Sequence, residues 1–260
     1  MLDLISFLTQ IPIKKAVRID SVIEQSYLFP FVAALIGLVV AGIAFITFGA
    51  LAATAELAAV LTVLALYLLT GLLHLDGLAD FFDGLMTPGT VEDKRRAMKD
   101  NQLGIGGLFA VLAVLLVSIF AIAVIGARIS GTVFDHPLAS YYALAGLFVV
   151  TEVSAKLSML TCMALGRSRG FVTVEGLGAL FVRALTPQKY LAALISAVII
   201  AIIFVTSVWC VMVLTGIVVA VVVAQVARLK FGAVSGDVLG TANELARCVT
   251  LFLWALLWVA

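Results

Sequence analysis

The stretch that decides the fold is residues 190–227, YLAALISAVIIAIIFVTSVWCVMVLTGIVVAVVVAQVA, which contains no charged side chain. A helix needs about 20 apolar residues to cross the roughly 30 Å hydrocarbon core of a bilayer. One unbroken helix of this length would be about twice as long as that core is thick. The stretch therefore predicts two membrane-crossing helices, joined by a turn near Thr206–Trp209.

The composition of the whole chain supports the same interpretation. The 260 residues are 64% hydrophobic and 12% charged, with a mean hydropathy of +1.24. Soluble domains are about 45–50% apolar and about 25% charged. The 16 Lys and Arg residues against 15 Asp and Glu residues leave no basic excess to hold a nucleic acid. We therefore predict an integral membrane protein in contact with lipid and without a nucleic-acid partner.

Seven apolar stretches are long enough to cross the membrane. They run over residues 29–50, 52–73, 103–126, 139–163, 190–207, 208–227 and 243–260. All five prolines fall outside these stretches or at their edges, where a missing N–H group costs little. The predicted fold is all-α: a polytopic membrane helix bundle of about seven transmembrane helices.

The Lys and Arg residues predict the orientation of this bundle. With the N-terminus inside, thirteen of the 16 lie in inside segments and only Arg128 lies in an outside segment. The positive-inside rule then places the N-terminus in the cytoplasm and the C-terminus outside. We expect the protein in the cell (inner) membrane. We expect one domain over residues 1–260. Its residues 1–26 are predicted to be an interfacial segment, and its cytosolic loops 74–102, 164–189 and 228–242 to form the site.

Three aspartates stand out in HLDGLADFFDG, residues 74–84. On a helix continuing from the second span, Asp76, Asp80 and Asp83 lie within about 60° of one another. Like charges this close need a compensating cation, and hard carboxylate oxygens suit Mg²⁺ carrying substrate phosphates. The three are therefore predicted to be catalytic and to bind the metal. The alternative is a solvated acidic face at a helix end.

A fourth aspartate opens the last span, in SGDVLGTANE, residues 235–244. Asp237 and Glu244 are seven residues apart and share one helical face if the helix starts early. Asp237 is the acid predicted to complete the metal site.

Two cationic segments are candidates for binding phosphate. In KRRAMKDNQLGIGG, residues 94–107, cations precede a helix start whose glycines leave the backbone N–H groups accessible. This pattern points to Lys99, Asp100 and Gly104; the alternative is a positive-inside loop followed by close helix packing. In GRSRG, residues 166–170, Arg167 and Arg169 offer guanidinium groups that fit phosphate, unless they serve orientation alone.

Glu152 and Lys156 fall inside the fourth predicted span. Their i, i+4 spacing predicts that they neutralise each other. A glutamate near the middle of a span is also what an ion-coupled secondary transporter would use, so a transporter is the alternative from another functional class.

Several of these segments together carry a family resemblance. They are FLTQIP (7–12), GLLHLDGLAD (71–80) with Asp83-Gly84, Met98-Lys99-Asp100 before Leu103-Gly104, EGLG (175–178) and GDVLGTANEL (236–245). In this order they resemble the cobalamin synthase family, adenosylcobinamide-GDP ribazoletransferase. Gln10 and Asn101-Gln102 depart from the residues usual in the family, which leaves more of the phosphate binding to Lys99, Arg167 and Arg169.

The resemblance implies a specific reaction. α-Ribazole, or its 5′-phosphate, would attack the diphosphate of adenosylcobinamide-GDP and release GMP, with Mg²⁺ assisting. The nearest enzymatic alternative is a CDP-alcohol-type membrane phosphotransferase, but Asp80 follows Ala79 where that motif has arginine. A homo-oligomer is left open.

Overall fold

The computed structural model describes residues 1–13, 16–50, 54–130, 135–173, 176–205 and 208–257. These residues form helices together with one isolated parallel bridge between Val172 and Val234. The α-helices are α1 (Leu2–Leu8), α2 (Ile19–Glu24), α3 (Phe29–Phe45), α4 (Ala55–Thr70), α5 (Leu73–Met86), α6 (Val91–Ala97), α7 (Ile105–Ser130), α8 (Pro137–Ser168), α9 (Leu177–Ala184), α10 (Pro187–Phe204), α11 (Thr215–Phe231) and α12 (Gly236–Leu257). The all-helical fold class is thus confirmed.

Within the described residues, five helical segments are long and apolar enough to cross a membrane. They are Ser26–Gly49, Ile105–Ile129, Pro137–Ser168, Pro187–Phe204 and Val208–Phe231. Helices α4 and α5 meet the same criterion only when taken together, which would make six. The membrane-protein prediction is supported, whereas the count of seven and the cytoplasmic N-terminus stay predictions.

Helix α8 forms the centre of the bundle. It packs against α3, α10, α11 and α12, and 94% of its most apolar window is buried. A helix that is hydrophobic all round suits such a position, because all its faces meet other helices. The surrounding helices instead turn large apolar side chains outward, such as Phe109 on α7 and Ile203 on α10.

The sequence predicts that the second span continues straight into the aspartate helix, but in the structure it does not. Helix α4 ends at Thr70, Gly71 follows it, and α5 runs at an angle of 97° to α4. Gly71 has a φ of +73°, a conformation that residues with a Cβ atom rarely adopt. This bend takes the aspartates out of line with the span and leaves α5 as an amphipathic helix after it.

The predicted turn between the fifth and sixth spans involves residues 206 and 207, which lie outside the described residues. On either side, α10 ends at Phe204 and a 3-10 helix begins at Val208. Glu175, part of the family resemblance, also lies outside the described residues.

Candidate functional site

The three aspartates of α5 are grouped as the sequence predicts. Asp76 is exposed, whereas Asp80 and Asp83 are half-buried. Burial, with the negative charges of Asp76, Asp237 and Asp83, raises the pKa of Asp80 to about 6. Asp80 therefore lies close enough to the other three predicted metal ligands for their charges to act on it.

Asp237 reaches this group because α5 and α12 touch backbone to backbone. A Cβ atom added to Gly77 would lie 3.0 Å from the Cα atom of Asp237, and one added to Gly240 would lie 2.9 Å from the carbonyl oxygen of His74. The Thr241 hydroxyl donates to the Gly77 carbonyl oxygen at 3.2 Å. Small residues thus bring the first turn of α12 against the aspartate stripe.

The side chain of Asp83 has a structural task as well. Its two carboxylate oxygens accept hydrogen bonds of 2.8 Å from the backbone N–H groups of Gly104 and Gly107. These N–H groups lie at the start of α7, where no preceding helical turn supplies carbonyl oxygens to accept their hydrogen bonds. Asp83 therefore caps α7, and the Gly104 N–H group that was predicted to meet phosphate is already bonded.

A cavity of about 740 Å³ opens beside the aspartates. Its polar lining includes Asp76, Asp237, His74, Arg95 and Lys99. A volume of this size lies within the range of about 300–1,000 Å³ typical of small-molecule sites. The cavity therefore combines carboxylates and cations at one end of a volume that a substrate could occupy.

Lys99 and Arg95 supply the positive charge of this cavity. Burial raises the pKa of Asp237, the Asp76 charge raises it further, and the Lys99 charge and a hydrogen bond from Ser235 oppose that rise. The Nε atom of Arg95 donates to the Phe231 carbonyl oxygen at 2.7 Å, which fixes its guanidinium at the rim.

A second cavity, of about 430 Å³, adjoins the first. It is lined by Glu92, Arg95, Arg96, Lys99 and Asp100. Arg95 and Lys99 line both cavities, so a phosphate at their common edge would meet two cations. Of the predicted phosphate-binding residues, Lys99 and Asp100 lie here.

The predicted arginine pair lies elsewhere. Arg167 and Arg169 are exposed at the end of α8, and Arg167 donates to the carbonyl oxygen of Arg183. Among the described residues that line the two cavities, neither arginine is present. Their role with phosphate stays a prediction that the cavity geometry does not reinforce.

Deeper in the bundle, Glu152 is paired differently from the sequence prediction. Its two carboxylate oxygens accept from Nε and Nη2 of Arg247 on α12, at 2.6 and 2.9 Å. The Lys156 ammonium donates instead to the Asn243 side-chain oxygen at 2.6 Å. The predicted Glu152–Lys156 pair is wrong as a direct ion pair, because the planar arginine fork fits a carboxylate with two bonds.

Glu244 completes this buried network. It accepts from Nη1 of Arg247 at 2.7 Å and from the Tyr67 hydroxyl at 2.7 Å. Asn243 donates to the same carboxylate at 2.9 Å. With two acids, one arginine and one lysine, the group is neutral overall and joins α4, α8 and α12.

The chemistry of the aspartate cluster fits Mg²⁺. In the described part of the chain, no group of three His, Cys, Asp or Glu side chains forms a preassembled metal site. Mg²⁺ commonly binds through one or two carboxylates plus substrate phosphates rather than in a cage made only of protein. The aspartates supply hard oxygen donors that repel one another without a cation, and Lys99 lies near enough to contact a bound phosphate. Both features suit Mg²⁺ bound together with substrate phosphates.

Sequence reasoning missed two residues of the cavity. His74 was not among the predicted site residues, and it is buried and lines the cavity together with Asp76. Arg95 lies in the cationic segment 94–107, from which the sequence singles out only Lys99, Asp100 and Gly104, yet it lines both cavities. Helical spacing alone could not predict that either residue lines the cavity, because the cavity forms only when separate helices pack together.

Comparison with known proteins shows the family of the chain. The model of the family described as cobalamin-5-phosphate synthase matches residues 1–255. The chain belongs to the cobalamin-5-phosphate synthase family. The family resemblance, and with it the expectation that the chain is an enzyme, is therefore confirmed.

Curated relatives share nearly the whole length of this family member. Proteins named adenosylcobinamide-GDP ribazoletransferase are 37% identical in Methanocella arvoryzae, over 98% of this chain and 95% of the relative, and 33% identical in Thermococcus onnurineus, over 98% and 97%. The one from Pyrococcus furiosus is 31% identical over 98% of this chain and all of its own. No solved structure matches.

Proposed function

We propose that this family member joins adenosylcobinamide-GDP and α-ribazole, or its 5′-phosphate, to give adenosylcobalamin, or its 5′-phosphate, with release of GMP. The observation that carries the proposal is the meeting of Asp76 on α5 and Asp237 on α12 in the lining of a cavity that Lys99 also lines, with Asp80 close enough to both aspartates to feel their charge. The relatives' shared name supports the identity of the substrates.

The reaction exchanges one phosphorus–oxygen bond for another. A ribose hydroxyl oxygen forms a bond to the cobinamide-bearing phosphorus, and the bond from that phosphorus to GMP breaks. Mg²⁺, held by one or two of the predicted ligands Asp76, Asp80, Asp83 and Asp237 together with substrate phosphates, would neutralise the diphosphate oxygens and the leaving GMP. One of these carboxylates accepts the hydroxyl proton.

The cations at the cavity edge hold the diphosphate in place. Lys99 lies at the junction of both cavities, and Arg95 is fixed beside it by its bond to Phe231. A lysine ammonium and a guanidinium are both strong donors to phosphate oxygens. In-line attack depends on such positioning, since holding reactants in the right geometry removes much of the entropic barrier.

The transporter alternative loses its main support. It depends on Glu152, whose carboxylate is fully engaged by Arg247 within a neutral network. We also propose that the site faces the cytoplasm, which the distribution of Lys and Arg supports.

Purified protein in lipid vesicles tests the function directly. GMP release from adenosylcobinamide-GDP should require both α-ribazole, or its 5′-phosphate, and Mg²⁺. The variants Asp76→Asn and Asp80→Asn should abolish release without lowering the yield of membrane-inserted protein. Near-normal release by both would refute the metal assignment, and no release by the unaltered protein with either nucleophile would refute the function.

A further inference from the structure

The cavity beside the aspartates has an apolar wall that the proposed chemistry does not yet use. Four helices build it: Phe7 from α1, Phe29 from α3, Met159 and Met163 from α8, and Phe181 from α9. The Phe181 ring centroid lies 5.7 Å from that of Phe7 and 6.0 Å from that of Phe29. Phe7 is half-buried, Phe181 and Met159 are 4% and 5% exposed, and Phe29 and Met163 are fully buried behind them, so helices far apart in the sequence build one layered apolar wall.

This wall lies directly beside the reacting groups. Gly178 and Phe181 are three residues apart on α9 and so point to the same side. Gly178 packs against the backbone of Gly236 so closely that a Cβ atom there would overlap it. Gly236 precedes Asp237, so a ligand on the wall has Asp237 as its neighbour.

The wall's chemistry selects a flat, apolar ring. Aromatic side chains stack favourably on rings, and methionine sulfur makes favourable contacts with them. The five side chains of the wall carry no conventional hydrogen-bond donor. Polar groups of a guanine or a corrin that faced these side chains would stay unpaired, at a cost of about 1–3 kcal/mol for each buried group, and would be better placed against the polar lining that includes Ser235 and Lys99.

We propose that Phe7, Phe181 and Met159, supported from behind by the buried Phe29 and Met163, form the subsite for the heteroaromatic base of α-ribazole. Seated there, the base turns its ribose toward Asp76 and Asp237, and the adenosylcobinamide-GDP diphosphate approaches from the side of Lys99. This assignment rests on the proposed function and adds to it the place of the nucleophile.

Variants of the wall test the assignment against a matched control. Phe7→Leu and Phe181→Leu each remove one ring; Phe45→Leu removes a ring of the Phe45–Tyr141 pair, which lies outside the cavity lining. The measurements are KM for each substrate in turn, and calorimetric binding of α-ribazole alone to protein in vesicles. Phe7 is half-buried on a short helix, so its variant remains informative if Phe181→Leu fails to fold.

We expect both wall variants to raise KM and Kd for α-ribazole by about 5- to 100-fold, the effect of losing a ring that stacks on a base. KM for adenosylcobinamide-GDP should stay unchanged, as should both constants in Phe45→Leu. A rise in KM for adenosylcobinamide-GDP instead would place the guanine or corrin on the wall and overturn the assignment. If KM and Kd for α-ribazole are unchanged in both folded variants, the wall only packs the helices together and the assignment is wrong. Both of these results would leave transfer by the unaltered protein intact. Failure of the subsite assignment is therefore distinguishable from failure of the proposed function.

Discussion

The Asp83 carboxylate accepts a hydrogen bond of 2.8 Å from the backbone N–H group of Gly104, and so joins the aspartate helix to the start of α7. Its other oxygen binds Gly107 in the same way. Asp83, which the sequence predicts to be catalytic, therefore also holds α5 and α7 together. Variants can separate its effect on activity from its effect on stability.

Asp83→Ala should lower both stability and activity. Two backbone N–H groups would lose their acceptor, at about 1–3 kcal/mol each. Asp83→Asn keeps one acceptor oxygen and should lie between the alanine variant and the unaltered protein in thermal unfolding in detergent. Asp80→Asn should lose activity without losing stability, since it removes a charge that its neighbours repel. An Asp83→Ala protein as stable as the unaltered one would contradict the capping role.

Gly77→Ala should reduce turnover by about tenfold or more while the protein still inserts into the membrane. The added methyl group would meet the Asp237 backbone at 3.0 Å and push α12 away from α5. Small displacements of catalytic groups can cost up to about a hundredfold in rate. Gly42→Ala is the control, because a Cβ atom there meets nothing within 4 Å. Equal turnover in the two variants would argue against a role for the close approach.

Arg247→Met should destabilise the protein by about 3–5 kcal/mol, because it leaves Glu152 and Glu244 buried without their cation. The double variant Glu152→Gln with Arg247→Met should recover part of this loss, because one uncompensated charge is gone. Thermal unfolding of both proteins in detergent measures the difference. If the double variant is no more stable than Arg247→Met alone, the ion pair between Glu152 and Arg247 does not contribute the expected stability.

Lys99→Gln should lower kcat/KM for adenosylcobinamide-GDP by about tenfold or more, since loss of a charge-assisted hydrogen bond to phosphate costs at least about 1.5 kcal/mol. Arg169→Gln should have a smaller effect, because Arg169 is exposed at the end of α8 and outside the cavity lining. Steady-state kinetics of the two variants decides between them. A larger loss in Arg169→Gln would restore the phosphate role that the sequence suggested for it.

Cysteine labelling should establish the orientation of the bundle. Asp135 and Arg96 are both exposed and lie in segments predicted to face opposite sides of the membrane. A membrane-impermeant maleimide added to intact spheroplasts should label Asp135→Cys and should label Arg96→Cys only after lysis. The reverse pattern would invert the topology and move the site to the outside.

The sequence predicted the local features of the site and missed the contacts between helices. Helical spacing placed Asp76, Asp80 and Asp83 together, because the residues belong to one helix. The choice of Asp237 as their neighbour came from a short motif and is supported by the Gly77–Asp237 contact. The bend at Gly71 was missed, since glycine within an apolar run does not by itself show that it adopts a positive φ.

The partner of Glu152 shows the same limit more sharply. Lys156 lies four residues away and was the natural partner on a single helix. Arg247 lies 95 residues away and becomes its neighbour only when α12 packs on α8. Spacing along one helix carries no information about such packing.

The enclosed position of α8 also bears on how the protein is made. As the chain leaves the ribosome, α8 emerges with Glu152 and Lys156 when Arg247 and Asn243 have not yet been synthesised. Ionisable side chains are costly in lipid without partners. Until α12 is made, Glu152 and Lys156 have only each other as partners at i, i+4 spacing, so truncation before α12 would leave α8 less stable in the membrane and more exposed to quality-control proteases.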